Sequence, residues 1–150
     1  MTAAPRIWAV VPAAGTGTRM NAPLPKQYLT LDGKPVITYA LETFARAPGV
    51  AGVVVAVAAG DEHWEAVKPA LDKPLYRAPG GETRMHSVTN ALRFLLERTD
   101  AQDWVLVHDA ARPCLTDIDL ERLIVSLYDH PVGGILGVPI TDTVKRVRRG

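Results

Sequence analysis

The chain has 150 residues, 47% hydrophobic and 22% charged, and its 17 Lys+Arg against 16 Asp+Glu give a formal charge of +1. Those proportions suit one ordinary globular domain and exclude a disordered segment or a coiled coil, and near-neutrality offers neither a basic field for nucleic acid nor an acidic tail. The single cysteine, Cys114, excludes an internal disulfide and a cysteine-based zinc cluster, so a reduced, cytoplasmic compartment is expected.

Strand and helix patterns alternate along the chain. Residues 7–12 (IWAVVP) form an apolar run followed at once by a glycine loop. At eight residues, the apolar stretch 7–14 is too short to span a bilayer, which needs about 20, and it lacks the basic region of a secretory signal, so no membrane partner is expected. Residues 36–46 read as a helix, with Ile37, Ala40, Leu41 and Phe44 at i, i+3, i+4, i+7. Residues 52–58 (GVVVAVA) read as a second apolar strand, and Asp61 as the cap of a helix running to about residue 71. A short extended piece, 75–78, leads into the Gly80-Gly81 turn and a helix over 84–98. Residues 104–108 (WVLVH) are a third strong strand, residues 117–129 an amphipathic helix, and residues 134–139 (GILGVP) a closing strand.

Strands that are apolar throughout are buried on both faces. Alternating with helices, they predict a three-layer α/β/α fold around a mostly parallel sheet with right-handed crossovers. Ligands in such sheets sit beyond the carboxyl ends of the strands, which directs attention to the loops after residues 12, 78, 108 and 139. Residues 141–150 end in a strand-like pattern without a closing helix or turn, as an unfinished domain would.

The loop Pro12-Ala13-Ala14-Gly15-Thr16-Gly17-Thr18-Arg19-Met20 lets backbone N–H groups approach a polyanion with no Cβ in the way, although a tight turn into a helix would use the same residues. It is not a Walker A loop, since the chain contains no G-x-x-x-x-G-K-[ST] string. Nor is it a dinucleotide fingerprint: Met20 stands where a small residue is required, and Pro23 and Pro25 oppose a helix. A nicotinamide dehydrogenase is therefore disfavoured. Arg19 and Lys26 flank the loop, and two fixed cations near a polyphosphate are what transfer at phosphorus requires; singly, each reads as a solvated surface charge.

Pro12-Ala13-Ala14-Gly15-x-Gly17-x-Arg19-Met20, followed by Pro25-Lys26-Gln27-Tyr28, resembles the nucleotide loop of sugar- and polyol-phosphate nucleotidyltransferases. Val107-His108-Asp109-Ala110-Ala111-Arg112-Pro113 and Asp142-Thr143-Val144-Lys145 narrow the resemblance to the 2-C-methyl-D-erythritol 4-phosphate cytidylyltransferases of the non-mevalonate isoprenoid pathway. The resemblance covers essentially the whole chain, and it implies a Rossmann-like nucleotidyltransferase fold acting on CTP and methylerythritol phosphate. It implies that Pro12, Ala13, Ala14, Gly15 and Gly17 cradle CTP. Gly80, Gly81, Glu82, Ser87 and Ala110 complete that site, with Glu82 standing where the family usually has Asp. By composition alone, Gly80-Gly81 is a plain turn before a capped helix.

Arg19 and Lys26 are implied as the catalytic cations, Asp109 as the ligand of a Mg²⁺ cofactor, and Arg112 and Thr143 as contacts to the acceptor substrate. Without the resemblance, Asp109 reads as a helix or turn cap and Thr143 as an ordinary strand residue. His108 is expected to make a structural hydrogen bond, Cys114 to pack, and the closing basic run at residues 145–149 to be a solvated face, not a nucleic-acid site. The resemblance also implies that residues 1–150 form a single cytidylyltransferase domain lacking its C-terminal third. Its dimer-forming β-arm starts at about residue 140, and the complete protein is a homodimer. A ribitol-5-phosphate cytidylyltransferase, which shares similar strings, and a non-catalytic nucleotide-binding module are the rival readings.

Overall fold

In chain order the elements are β1 (Ile7–Pro12), a 3-10 turn (Lys26–Tyr28), β2 (Thr30–Leu31), β3 (Lys34–Pro35), α1 (Val36–Arg46), β4 (Val50–Val57), α2 (Trp64–Val67), β5 (Leu75–Pro79), α3 (Arg84–Leu96), β6 (Trp104–Val107) and α4 (Asp117–Leu127). They are taken from a computed structural model that describes residues 5–15 and 24–147. A four-stranded sheet has the order β5-β4-β1-β6, with every neighbouring pair parallel.

Successive side chains of a strand point to opposite faces, and here both faces are covered. On one face Ala9, Val11, Val53 and Val55 pack with Ile37, Leu41 and Phe44 of α1 and Leu120 of α4. On the other, Trp8, Val10, Val54 and Ala56 pack with Ala91 and Leu95 of α3. The result is the expected three-layer α/β/α arrangement around a parallel sheet. Helices α3 and α4 start on threonine caps: the Thr83 and Thr116 hydroxyls accept hydrogen bonds from the amides of His86 (3.2 Å) and Asp119 (3.1 Å).

Five expectations need correction. Cys114, expected to pack, is exposed. The helix expected over 61–71 is one turn, because Pro69 bars Lys68 from helical backbone; Lys68 has φ −59° and ψ 124°. Asp61 still organises its start, accepting from the amides of His63 (2.9 Å) and Trp64 (3.0 Å). Residues 134–139 form no strand, and the described stretch 131–147 has no regular secondary structure. A strand exists only as a paired ladder, and Gly134, Gly137 and Pro139 weaken the intrinsic preference; Ile135 is left 91% exposed. The edge strands β5 and β6 are only partly buried, with Val107 41% exposed, since each has a partner on one side. Finally, an antiparallel ribbon, β2–β3, was not anticipated. Its two-residue loop, Asp32-Gly33, has positive φ at both positions (47° and 80°), the requirement of a type I′ hairpin turn.

Asp103 fastens the amino end of β1 to that of β6. Its side chain is 4% exposed and accepts from the Arg6 amide (2.8 Å), the Arg6 Nε (3.2 Å), the Trp8 indole (3.2 Å) and the Asp100 amide (3.2 Å). Burial raises the carboxyl's pKa, but these donors and the Arg6 charge outweigh it and hold it below the ordinary aspartate value. A depressed carboxyl contributes stability above its unfolded pKa, and that stability is lost as pH falls through the folded value. Asp103→Ala is therefore expected to cost about 1–3 kcal/mol at pH 7 by urea unfolding. The gap to wild type should narrow below about pH 4, near the unfolded aspartate pKa; a gap that stays constant down to pH 2 would remove the carboxylate from this role.

Candidate functional site

From β1 the chain winds outward to β4 and then β5, and afterwards crosses back to place β6 on the other side of β1. Winding thus reverses between β1 and β6, and a crevice opens at such a point beyond the carboxyl ends of the strands. A cleft of about 480 Å³ lies there. Its walls are Pro12, Ala13, Ala14 and Gly15 after β1; Lys26 and Gln27 of the 3-10 turn; Gly81, Glu82, Thr83, Arg84 and Ser87 at the start of α3; and Asp109, Ala110, Ala111 and Arg112 after β6.

The glycine loop is fixed from behind. The Ala13 amide donates to the Ala56 carbonyl at 2.8 Å, continuing the β1–β4 ladder by one bond. The Gln27 side-chain amide donates to the carbonyls of Ala13 (2.8 Å) and Gly15 (3.1 Å). Gly15 faces open space, with no described atom within 4 Å of where a Cβ would stand. Gly80 is the opposite case: a Cβ there would collide with Ala14 and press on the Val57 carbonyl, so the second glycine segment lies directly against the first. Ser87 is buried. Its hydroxyl accepts from the Gly81 amide (3.0 Å) and donates to the Thr83 carbonyl (3.1 Å), holding the Gly80-Gly81 turn at the mouth of α3.

Asp109 leaves β6 at the cleft and is gripped by two guanidinium groups, Arg84 Nε at 2.6 Å and Arg112 Nε at 3.0 Å. Partial burial raises its pKa, but the Arg84 hydrogen bond and the charges of Arg84, Arg112 and His108 outweigh it, so the carboxyl stays ionised well below neutral pH. His108 points elsewhere. Its Nε2 lies 2.9 Å from the Arg112 carbonyl, and a carbonyl partner requires that this nitrogen carry the proton. The ring stands edge-on to Phe44 at 5.8 Å, a structural placement that matches the expectation.

Of the residues singled out in the sequence, Pro12, Ala13, Ala14, Gly15, Lys26, Gly81, Glu82, Ser87, Asp109, Ala110 and Arg112 converge on this one cleft. Gly80 stands just behind its wall. Gly17 and Arg19 lie outside the described residues. Thr143 is exposed in the stretch without regular structure and is not part of the cleft wall. Gln27, Thr83, Arg84 and Ala111 also line the cleft; Gln27, Arg84 and Ala111 stand within the motifs of the resemblance but have no role assigned from the sequence, and Thr83 is not singled out there. For Arg84 the available signal was a cation two residues after the Gly80-Gly81-Glu82 string, at the start of a helix.

A family model described as IspD, 2-C-methyl-D-erythritol 4-phosphate cytidylyltransferase, matches residues 7–150. The 2-C-methyl-D-erythritol 4-phosphate cytidylyltransferase of Pseudomonas putida strain W619 is 52% identical over 144 residues, which are 95% of this chain and 61% of that protein. The enzyme of the same description from Xylella fastidiosa strain 9a5c is 50% identical over 140 residues, 93% of this chain and 61% of the relative. Among solved structures, a 4-diphosphocytidyl-2C-methyl-D-erythritol synthase superimposes with a TM-score of 0.83 at 36% identity, covering 99% of this chain and 67% of that one. The chain therefore spans about three-fifths of the length of these curated relatives. With the family model matching residues 7–150 and relatives half identical over nearly the whole chain, the chain belongs to the 2-C-methyl-D-erythritol 4-phosphate cytidylyltransferase family.

Proposed function

We propose that the complete protein transfers CMP from CTP to 2-C-methyl-D-erythritol 4-phosphate, giving 4-diphosphocytidyl-2-C-methyl-D-erythritol and pyrophosphate. The observation that carries this reading is the convergence of the glycine loop, Lys26, the Gly81–Ser87 turn and Asp109 on one cleft in a chain of this family. An oxygen of the acceptor phosphate attacks the α-phosphorus of CTP in line. The new P–O bond forms as the bond to the β-phosphate oxygen breaks, and pyrophosphate departs with the electron pair. The acceptor phosphate is already ionised at neutral pH and needs no general base, which agrees with His108 being engaged with the Arg112 carbonyl.

The protein's part is positioning and charge. The Ala14 and Gly15 amides of the loop face the triphosphate, the Gly80-Gly81 turn and Ser87 hold the cytidine, and Lys26 and Arg19 meet the charge that grows on the α-phosphoryl oxygens. Arg112, beside Asp109, faces the acceptor, with Thr143 assigned to it by resemblance. Mg²⁺ is the cofactor we infer. Asp109 would hold it through the lone pairs that Arg84 and Arg112 leave on its two oxygens: a single partly exposed carboxylate matches an ion that keeps most of its waters and is bound largely through substrate phosphates. No group of three or more His, Cys, Asp or Glu side chains that could hold a resident ion occurs among the described residues. When bound, such an ion neutralises phosphate charge. We take the complete protein to be a cytoplasmic homodimer joined through the family's β-arm; no described helix is long and apolar enough to cross a membrane.

Calorimetry on the complete protein with Mg²⁺ should give CTP an affinity well above those of ATP, GTP and UTP. Pyrophosphate release should follow addition of methylerythritol phosphate and not of ribitol 5-phosphate. Turnover with ribitol 5-phosphate alone would replace the acceptor assignment, and CTP binding without turnover on either would reduce the protein to a binding module.

A second experiment separates catalysis from binding. Arg19→Ala and Lys26→Ala should each lower kcat by about 10²–10³, the usual cost of a lost transition-state donor. Arg122→Ala, whose side chain is 72% exposed on α4, should change little. Effects confined to KM would make the two cations uniform binders and not stabilisers of the transition state.

A further inference from the structure

Gln27 is 2% exposed, yet it belongs to a turn whose preceding residue, Lys26, is exposed at the cleft. A primary amide has two N–H donors. Both contacts go to backbone carbonyls of the glycine loop, 14 and 12 residues away in sequence: Ala13 at 2.8 Å and Gly15 at 3.1 Å. In a trans peptide the carbonyl and the following N–H point in opposite directions. With the Ala13 carbonyl turned to Gln27, the Ala14 N–H therefore points away from Gln27, and Ala14 lines the cleft. On its other side the turn is held by Tyr28, a buried ring whose hydroxyl donates to Asp61 at 2.8 Å. The turn thus has a fixed base and a two-pronged grip on the loop.

We propose that Gln27 is a positioning residue of the phosphate site, its amide locking the glycine loop and the Lys26 turn into one cradle for a polyphosphate. The assignment rests on the cytidylyltransferase reading for the identity of the ligand, but its mechanism needs only a triphosphate. Glutamine is the side chain that fits. Methionine matches its length without the donors, and glutamate matches its shape but presents only oxygen to two carbonyl oxygens. Losing both donors frees the loop to turn and leaves two carbonyls without their partner, while Lys26 loses its fixed distance from the loop.

The test uses the complete protein carrying Gln27→Met, with Lys26→Ala and the double variant beside it. Calorimetric titration with Mg²⁺ compares CTP with inorganic triphosphate, a probe that has no base. In Gln27→Met the affinity for both should fall about tenfold or more, as expected when buried hydrogen bonds are lost. The kcat should fall as well, and Lys26→Ala should cost less in the Gln27→Met background than in wild type, because the lysine is already out of place. A lower thermal midpoint with unchanged triphosphate affinity, or a full Lys26→Ala cost in both backgrounds, would overturn the proposal and leave Gln27 a packing residue. Should Gln27→Met fail to fold, Gln27→Glu carries the same comparison with the amide's shape preserved. The two readings fail separately: absence of cytidylyl transfer by wild type with weakened triphosphate binding in the variant would sink the reaction and keep the clamp, and active wild type with an unaffected variant would do the reverse.

Discussion

Strand β1 shares its backbone with β4 on one edge and β6 on the other, and the site follows from that double pairing. Parallel strands run in the same direction, so pairing Val10 with Val54 and with Val107 brings the ends of all three strands to one level. The glycine loop emerges from β1 there, Asp109 follows β6 beside it, and the Gly80 amide, bonded to the Val57 carbonyl at 2.7 Å, brings the second glycine segment in from the far side of β4. A slip of one residue in either pairing would turn every side chain of that strand to the opposite face, exposing apolar groups to the wrong layer. Core burial therefore fixes register, and register fixes where the polar groups of the cleft meet.

Electrostatics at the cleft differ from those of the chain as a whole. A formal charge of +1 over 150 residues predicts no long-range attraction for phosphates. Within the cleft, however, Lys26, Arg84 and Arg112 stand against Glu82 and Asp109, and the two arginines keep Asp109 ionised by sharing its carboxylate. A concave site with an excess of cations concentrates such local charge, so a neutral protein can still present a polyanion with a preferred landing place.

Much of this was legible in one sequence, for a physical reason. Strands buried on both faces must be apolar throughout, so β1 and the length of α1 are read to the residue from Ile7–Pro12 and Val36–Arg46. The loop after β1 stands out through Gly15, whereas Gly80-Gly81 reads as a plain turn unless the resemblance assigns it a part in the site. Contacts distant in sequence leave no such trace. Periodicity cannot register that Gln27 reaches back to Ala13, or that Arg84 crosses to Asp109, because each depends on a fold that is already assembled. Two local rules also outweighed periodicity: Pro69 cut α2 to one turn, and Asp32-Gly33 folded β2 onto β3. At residues 134–139 apolar composition suggested a strand, but composition supplies no partner for its backbone.

The β1–β6 pairing also sets a timetable during synthesis. Arg6 and Asp103, which fasten the two strands, are 97 residues apart in the chain. A ribosome adding about 5–20 residues per second therefore delivers β6 roughly 5–20 s after β1. The partner on the other edge comes sooner, since Ile7 pairs with Val50. By the end of that interval the nascent chain holds β1, β4 and β5 between α1 and α3, with one edge of β1 still open, the kind of edge that recruits other chains. Closing it requires a contact of very long sequence separation, which is entropically slow. Asp109 and Arg112 ride in on the same event. A newly made chain thus exposes its stickiest edge for as long as its cleft is incomplete, and a single docking step ends both conditions.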